Sequence, residues 1–218
     1  LDYNRYHLSY KFAVRNLLIK DIITTDTEYQ SVLGISFEWF KYSPLHISPF
    51  TFRLKTEFDT PLETQPVQLD GHFNMTGSIG YRFKNRYIFA LAYDIDRMNY
   101  PNLNEENSTI VPNSFTVYWL DLELIYFHTN FNLGLTVSHL LNSKNSGEDQ
   151  SAENRAESDF TGQSYNLKLR YYLQDRFFDQ FQAWMGLQYR YYNINRKNSG
   201  ADTKITSRNY IYHFGIYF

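Results

Sequence analysis

The sequence predicts an all-β fold, a closed antiparallel up-and-down transmembrane β-barrel of about ten strands. Three observations predict it: apolar and polar side chains alternate in many short segments, the connections alternate between short and long, and aromatic residues make up 19% of the chain. A strand that faces lipid on one side and a polar lumen on the other alternates in this way. No run of about 18 apolar residues is present, so no membrane-spanning helix is predicted. We interpret residues 1–218 as a single barrel domain.

The first predicted strand, Tyr6 to Arg15, sets the pattern for the others. Leu8 and Phe12 share one face, and Ser9 and Lys11 lie on the other. The alternation recurs in residues 29–41, 50–59, 73–83, 87–96, 118–126, 131–138, 165–173, 181–190 and 212–218. Segments of about 9–11 residues suffice for a tilted strand to cross a bilayer, which is why we count about ten membrane strands.

The connections between these strands alternate in length. Short ones are predicted near residues 43–47, 84–86, 128–130 and 174–180, and aromatic residues flank them. Long polar ones are predicted near residues 18–27, 59–70, 97–113, 142–160 and 194–204. Outer-membrane barrels have short periplasmic turns and long extracellular loops. With an even number of strands, this asymmetry predicts that both termini lie in the periplasm.

The C-terminal strand carries large apolar side chains at every second position, at Tyr212, Phe214, Ile216 and Phe218. This ending resembles the C-terminal signal of bacterial outer-membrane β-barrels. The resemblance implies insertion by the barrel-insertion machinery into the outer membrane of a Gram-negative cell envelope, in contact with lipid and lipopolysaccharide. We expect this strand to close the barrel against the first one. We also expect a leader before Leu1, because the chain does not begin with Met.

Composition narrows the function classes. The formal net charge is −2 and no block of basic residues is present, so no nucleic-acid partner is predicted. The sequence has no Cys, which excludes disulfides and thiolate metal sites within the chain. It shows no zinc spacing, Gly-rich phosphate loop or redox motif, so we predict no metal and no cofactor.

The polar faces of the strands would place many charges in the lumen. The predicted lumen-lining charges are Lys11, Arg15, Glu38, Arg53, Lys55, Glu57, Arg82, Asp94, Asp96, Asp121, Glu123, Lys168, Arg170, Arg190 and Arg208. Open aqueous pores appear at about sixteen strands, so a barrel of about ten strands should have a packed polar core or a very narrow passage. Buried charges must then pair with one another. Phe115, Val117, Trp119, Trp184 and Tyr192 also fall on the inward face, unless a β-bulge shifts the register.

These features predict a non-enzymatic barrel with a plugged polar interior, serving as a structural, adhesive or accessory subunit of an envelope complex. A narrow passive, porin-like channel with a mild preference for anions is the alternative.

A third hypothesis is a surface hydrolase. Asp94 and Asp96 lie two apart on one strand, and Asp70 and His72 lie two apart on its hairpin partner, with His72 diagonal to Asp96. Two carboxylates beside an Asp-oriented His are able to activate a water molecule. In residue content this set is similar to that of the omptin proteases, ten-stranded outer-membrane barrels. Under the other hypotheses the four residues line the mouth of the barrel or form a weak cation site.

Ser138-His139 and an apolar run near residue 20 are further candidate sites. Ser138 and His139 are adjacent on a strand and point to opposite faces, so they are not predicted to form a nucleophile and base pair. The surrounding residues 132–142 faintly resemble a strand of barrel proteins associated with type IX secretion and gliding.

An apolar run stands where a polar loop is expected, at Leu17, Leu18, Ile19, Ile22 and Ile23. Either the strand continues past a bulge, the loop folds inward, or the run docks on another envelope protein.

Overall fold

A computed structural model describes residues 3–20, 25–42, 48–62, 72–104, 109–145, 159–177, 181–197 and 202–218. It contains ten strands: β1 Tyr3–Lys20, β2 Thr25–Tyr42, β3 Phe50–Pro61, β4 His72–Phe83, β5 Tyr87–Asn104, β6 Thr109–Phe127, β7 Phe131–Asn145, β8 Asp159–Phe177, β9 Phe181–Lys197 and β10 Asp202–Tyr217. The described part of the chain has no helix long and apolar enough to cross a membrane.

Every strand pairs antiparallel with its neighbours in the chain, and β1 pairs with β10 to close the sheet into a barrel. In the closing pair Tyr10 lies opposite Phe214 and Phe12 lies opposite Tyr212. Because all neighbours in the barrel are also neighbours in the chain, the topology is up-and-down. The predicted fold class, the strand number and the pairing of the last strand with the first are confirmed.

The barrel has an apolar outside and a polar inside. In β4 the side chains alternate strictly between buried and exposed along the whole strand. Outward positions near the middle of the barrel wall carry large apolar side chains, such as Leu122, which is 65% exposed, and Ile79, which is 59% exposed. Such a continuous apolar exterior is unfavourable in water and is typical of a lipid-facing surface.

Aromatic rings form two girdles that bound this apolar belt. At the end of the barrel where the turns 84–86 and 128–130 lie, called here the short-turn end, the contacting outward pairs are Tyr6–Phe218, Phe181–Phe218, Phe50–Tyr81, Tyr87–Tyr126 and Tyr126–Phe131. Towards the opposite end the pairs are Tyr93–Tyr118, Tyr165–Tyr191 and Tyr189–Tyr210. Paired girdles of this kind mark the two interfaces of a membrane.

The strands run further than predicted at the end opposite the short turns. β5 extends to Asn104 and β6 starts at Thr109, where the long connection 97–113 was predicted. The connections predicted at 18–27 and 194–204 are likewise largely strand, since β1 reaches Lys20 and β9 reaches Lys197. The physical reason is that ladder hydrogen bonds join backbone groups, so polar segments pair beyond the membrane as well as apolar ones do.

The widest intervals between strands still lie at that end. β3 ends at Pro61 and β4 starts at His72, and β7 ends at Asn145 while β8 starts at Asp159. The predicted difference in connection length between the two ends of the barrel is therefore present. Only two connections, after β3 and after β7, are long within the strand order given.

The turn between β4 and β5 is tight. Arg86 N donates to Phe83 O at 3.3 Å, and the two central residues have positive φ, 49° at Lys84 and 57° at Asn85. Two successive left-handed residues match the right-handed twist of the flanking strands. Asn adopts this conformation readily, whereas Lys does so at some conformational cost.

A β-bulge separates the two halves of β7. Tyr118 lies opposite Asn142 but Trp119 lies opposite Leu140, which leaves Leu141 as the extra residue. Leu140 is buried in the lumen and Leu141 faces outward with 51% exposure. Trp119 points inward, as the alternation predicts.

Candidate functional site in the barrel interior

The interior consists of three layers stacked along the barrel axis. A vestibule at the short-turn end is lined by residues that include Arg5, Tyr42, Arg82, Tyr172, Gln182 and Tyr217. An ion-pair layer follows, formed by Lys11, Glu38, Arg53, Lys55, Glu57, Asp59, His72, Asp94, Asp96, Glu123, Arg170 and Arg190. An apolar plug lies at the opposite end, formed by Phe115, Val117, Trp119, Leu140, Tyr192, Ile194 and Ile205.

The ion-pair layer begins with Lys11 on β1. Its Nζ lies 2.6 Å from Asp59 Oδ2 and 3.7 Å from Glu57 Oε2 on β3. Lys55 Nζ lies 2.8 Å from the other oxygen of Glu57. Lys11 is only 2% exposed and Asp59 is fully buried, so water does not solvate these charges. Each ion is instead stabilised by its opposite partners, as buried charges require.

His72 extends this chain of charges towards β9. Its Nδ1 lies 3.4 Å from Asp59 Oδ2, and its Nε2 contacts Asp96 Oδ1. Arg190 Nη2 donates to Asp94 Oδ2 at 3.0 Å and lies 3.2 Å from Asp96 Oδ2. The strands β5 and β9 stand on different sides of the lumen, so Arg190 ties two walls together.

Neutral donors complete the surroundings of the two aspartates. Asp94 Oδ1 accepts hydrogen bonds from Asn74 Nδ2 at 2.7 Å and from Thr76 Oγ1 at 2.8 Å, both on the neighbouring strand β4. Asp96 Oδ2 accepts a hydrogen bond from the Tyr192 hydroxyl at 2.9 Å. Each carboxylate therefore combines a charged and a neutral donor, which is the arrangement that makes a buried charge tolerable.

A second group of ion pairs crosses the lumen nearer the vestibule. Arg170 on β8 donates to Glu38 on β2, and Arg53 on β3 donates to Glu123 on β6. The Arg170 guanidinium also stacks on the Trp184 ring, 4.4 Å from its centroid. Neither ion pair joins neighbouring strands. These contacts connect opposite walls and fill the cross-section with side chains.

Two close approaches in this layer require glycine. A Cβ on Gly215 would lie 2.3 Å from Leu8 O and 2.8 Å from the Trp184 ring. A Cβ on Gly34 would lie 2.6 Å from the Cβ of Asp59. Since real Cβ atoms do not approach so closely, the missing side chains make room for the inward groups.

The apolar plug is a cluster of buried side chains beyond the ion pairs. Trp119, Val117 and Ile194 are fully buried, and Trp119 lies 6.0 Å from Tyr192 between ring centroids. The plug residues come from β6, β7, β9 and β10. Tyr192 joins the plug to the ion-pair layer through its hydroxyl bond to Asp96.

Two cavities lie in the described part of the lumen. The vestibule has a volume of about 600 Å³, and a smaller cavity of about 90 Å³ lies among the ion pairs, where Lys168 lines it. None of the seven plug residues lines either cavity. The open space of these cavities therefore stops short of the plug.

The structure places most of the predicted lumen charges as expected. The inward and buried residues are Lys11, Glu38, Lys55, Glu57, Arg82, Asp94, Asp96, Asp121, Glu123, Arg170 and Arg190, and Arg53 and Lys168 line the smaller cavity. Arg15 lies in β1 opposite Asn209, and its side chain is outside the described residues.

The prediction for Arg208 is wrong. Arg208 is exposed on the outer face, whereas Ser207 and Asn209 on either side of it are buried. The reason is that every second side chain of a strand points the same way, so Arg208 shares the outer face with Tyr210 and Tyr212. A long arginine side chain at the edge of the apolar belt is able to reach the polar interface.

Asp59 was predicted on the polar face of its strand but was not counted among the lumen charges, and the loop 59–70 was predicted to begin at this residue. The strand in fact continues to Pro61, and Asp59 lies directly opposite His72. The signal was available in the sequence, since Asp59 continues the inward series of Lys55 and Glu57.

The hydrolase candidates are only partly brought together. His72 contacts Asp96 as the hairpin geometry predicts, but Asp70 lies outside the described residues, and Asp59 supplies the second carboxylate. Asp59 and Asp96 are fully buried, His72 is 7% exposed, and none of the three lines either cavity. The described residues contain no group of His and acidic side chains suited to hold a metal ion.

The structure describes Ser138 and His139 fully and the apolar run near residue 20 only in part. Ser138 is buried and His139 is exposed, so they point to opposite faces as predicted. Leu17, Leu18 and Ile19 belong to β1, paired with β10 at Ser207, Thr206 and Ile205. Their side chains, and Ile22 and Ile23 altogether, lie outside the described residues.

No protein-family model and no curated protein matches the chain. Among solved structures the chain is similar to the outer-membrane protease OmpT from Escherichia coli, with 10% identity, a TM-score of 0.48 and coverage of 99% of this chain and 96% of that one. It is also similar to the β domain of the Bordetella autotransporter Brka, with 11% identity, a TM-score of 0.41 and coverage of 95% and 98%.

A third similar structure is an outer-membrane channel from Pseudomonas putida F1, with 11% identity, a TM-score of 0.40 and coverage of 96% and 94%. These proteins have unlike activities, so they carry no specific function to this chain. The closed sheet, the apolar belt and the girdles described above identify the chain as an integral outer-membrane-type β-barrel.

Proposed function

We propose that this protein is a barrel closed to solutes that acts as a non-enzymatic structural, adhesive or accessory subunit of an envelope complex. The observation that carries the proposal is the apolar plug, whose buried side chains lie beyond the ion-pair layer and line neither cavity. A solute that enters at the short-turn end meets first paired charges and then packed rings.

The ion pairs support the same conclusion. Several of them join strands that are not neighbours, among them Arg53 with Glu123, Arg170 with Glu38, and Arg190 with Asp94. Moving any one of these arginines aside would leave a buried carboxylate without its partner. That loss costs about 3–5 kcal/mol per pair. The interior is thus built to hold its walls together, which suits a rigid membrane anchor.

In the envelope, we propose that the short-turn end and both termini face the periplasm, with the extended strand ends outside. Outer-membrane barrels place their short turns in this way. The barrel would contact lipid and lipopolysaccharide along its apolar belt, and the barrel-insertion machinery would read its terminal aromatic strand. The apolar run from Leu17 to Ile23 is the segment proposed to contact another envelope protein.

Liposome swelling tests closure. Proteoliposomes of the wild-type protein in an isotonic solution of a small neutral solute should swell no faster than empty liposomes. The double variant Phe115→Ala and Trp119→Ala removes two plug side chains and should admit the solute. Leu122→Ala, on the lipid face, is the matched control and should behave as wild type. Swelling of wild-type vesicles would overturn the proposal in favour of the passive channel.

Reconstitution provides the fold control for these variants. A folded barrel migrates differently on a gel before and after boiling, so each preparation is first checked for this shift. A preparation without the shift is not counted as evidence on permeability.

A further inference from the structure

The vestibule differs in charge from the rest of the lumen. None of the described residues that line it is Asp or Glu, although the layer behind it holds several carboxylates. Its cationic side chains are Arg5 and Arg82, with His128 at the rim. An anion that enters the vestibule therefore meets a lining whose described charged side chains are positive.

Aromatic rings hold the two arginines in place. The Arg5 guanidinium lies 5.0 Å from the ring centroid of Tyr42 and 5.4 Å from that of Tyr217. The Arg82 guanidinium lies 5.3 Å from the centroid of Tyr42, so one ring serves both cations. A guanidinium that stacks by its face keeps its N–H edge directed sideways, the edge that binds a carboxylate or phosphate in a bidentate manner.

Arg5 is the better placed of the two. Within the described part of the chain its guanidinium forms no ion pair with a carboxylate and lies beside the two aromatic rings. It lines both the vestibule and the smaller cavity behind it. A ligand held by Arg5 would thus lie at the inner end of the vestibule.

Amides provide the remaining polar groups. Asn85, Asn130, Asn132, Gln174 and Gln182 line the vestibule, and each carries both donors and an acceptor. Such amides suit the hydroxyl groups of a ligand, because an amide and a hydroxyl group can each both donate and accept a hydrogen bond. Aromatic rings beside them offer flat faces for the apolar side of a ring-shaped ligand.

The vestibule is open and of suitable size. Exposed turn residues, Asn85, His128 and Thr129, stand at its rim, so it is reached from the short-turn end. Its volume of about 600 Å³ lies within the range of small-molecule sites, about 300–1,000 Å³.

We propose that the vestibule binds a small anionic ligand that carries hydroxyl groups, a sugar acid or a sugar phosphate of one or two rings. Arg5 and Arg82 hold the carboxylate or phosphate, the amides bind the hydroxyl groups, and the Phe127 ring, which also lines the vestibule, packs against the sugar ring. The site goes beyond the proposed closure of the barrel and does not depend on it, since it lies wholly on the near side of the plug.

Isothermal titration calorimetry on the full chain in detergent micelles tests the proposal. The probes are glucuronate, glucose 6-phosphate, glucose and inorganic phosphate. The proposal predicts binding of at least one of the two anionic sugars, and at least tenfold weaker binding of glucose. The affinity should fall as salt is raised, because the attraction is partly electrostatic.

Variants assign the binding to the vestibule. Arg5→Gln and Arg82→Gln should each weaken the binding about tenfold, the usual loss for one charge-assisted contact. Arg86→Gln removes the same charge from the exposed neighbouring turn, outside the vestibule lining, and should leave the affinity unchanged. The mobility shift on unboiled gels confirms that each variant is folded.

Each outcome of the titrations either supports or overturns the proposal. Binding of an anionic sugar that Arg5→Gln weakens and Arg86→Gln does not weaken supports the proposal, and the stronger of the two sugars identifies the anionic group. No binding of either sugar at ~10 mM, equal binding of glucose, or inorganic phosphate binding as tightly as glucose 6-phosphate overturns it. Liposome swelling is measured separately. A barrel that leaks but binds the sugar is thereby distinguished from a closed barrel that does not bind it.

Discussion

Replacement of Arg190 by Met should destabilise the barrel strongly, because it removes a cation that lies within hydrogen-bonding distance of both Asp94 and Asp96. Arg190 Nη2 lies 3.0 Å from Asp94 and 3.2 Å from Asp96, and its guanidinium stacks 4.4 Å from the centroid of the Tyr192 ring. Both carboxylates are 2% exposed or less, so water does not replace the lost partner.

The magnitude follows from what remains around the two aspartates. Breaking a buried ion pair costs about 3–5 kcal/mol. Asp96 keeps its contacts with His72 and Tyr192, and Asp94 keeps its hydrogen bonds from Asn74 and Thr76. We therefore expect the lower end of the range, about 3 kcal/mol of lost stability.

The assay is reversible denaturant unfolding of the barrel in lipid vesicles, followed by tryptophan fluorescence. Arg208→Met is the matched control, since Arg208 lies on the outer face, and it should change the free energy of unfolding by less than about 0.5 kcal/mol. The double variant Arg190→Met with Asp94→Asn should recover part of the loss, because one uncompensated charge is gone. Equal free energies for Arg190→Met and Arg208→Met would refute the account of the ion-pair layer.

Three further predictions concern the wall, the belt and the absence of chemistry. Gly215→Val should prevent closure of β1 on β10 and abolish the mobility shift on unboiled gels. Gly77→Ala should fold normally, because no atom lies within 4 Å of the added Cβ. Equal folding of both variants would contradict the close packing at Gly215. Leu122→Arg should lower the unfolding free energy by about 2–4 kcal/mol if Leu122 faces mid-bilayer, and a neutral effect would place the belt elsewhere. Peptide hydrolysis by wild type should not exceed that by Asp96→Asn, and a wild-type rate clearly above it would revive the hydrolase hypothesis.

The sequence predicts the wall of this barrel well. Alternation has a period of two, so the direction of Leu122 or Phe214 is readable without knowledge of the neighbours. Closure and strand order follow because consecutive antiparallel strands pair in a barrel. The ends of the strands are less predictable, since residues such as Asn104 and Thr109 pair through their backbone and carry no apolar signal.

The interior is predictable only as a set of charges. That His72 meets Asp96 follows from a single hairpin, so it was correctly predicted. That Arg170 meets Glu38, or Arg190 meets Asp94, depends on which strands face each other across the lumen, and this depends on the tilt and stagger of the whole sheet. The alternation of residues within one strand contains no information on the distances between strands across the lumen.

Steady conductance in planar bilayers tests the central claim, that the lumen is closed, most directly. Wild-type protein, inserted in folded form in a salt solution, is predicted to give no ohmic current above that of the bare lipid. The double variant Phe115→Ala and Trp119→Ala, recorded in parallel, should give discrete current steps. A steady ohmic current through the wild-type barrel would contradict the account.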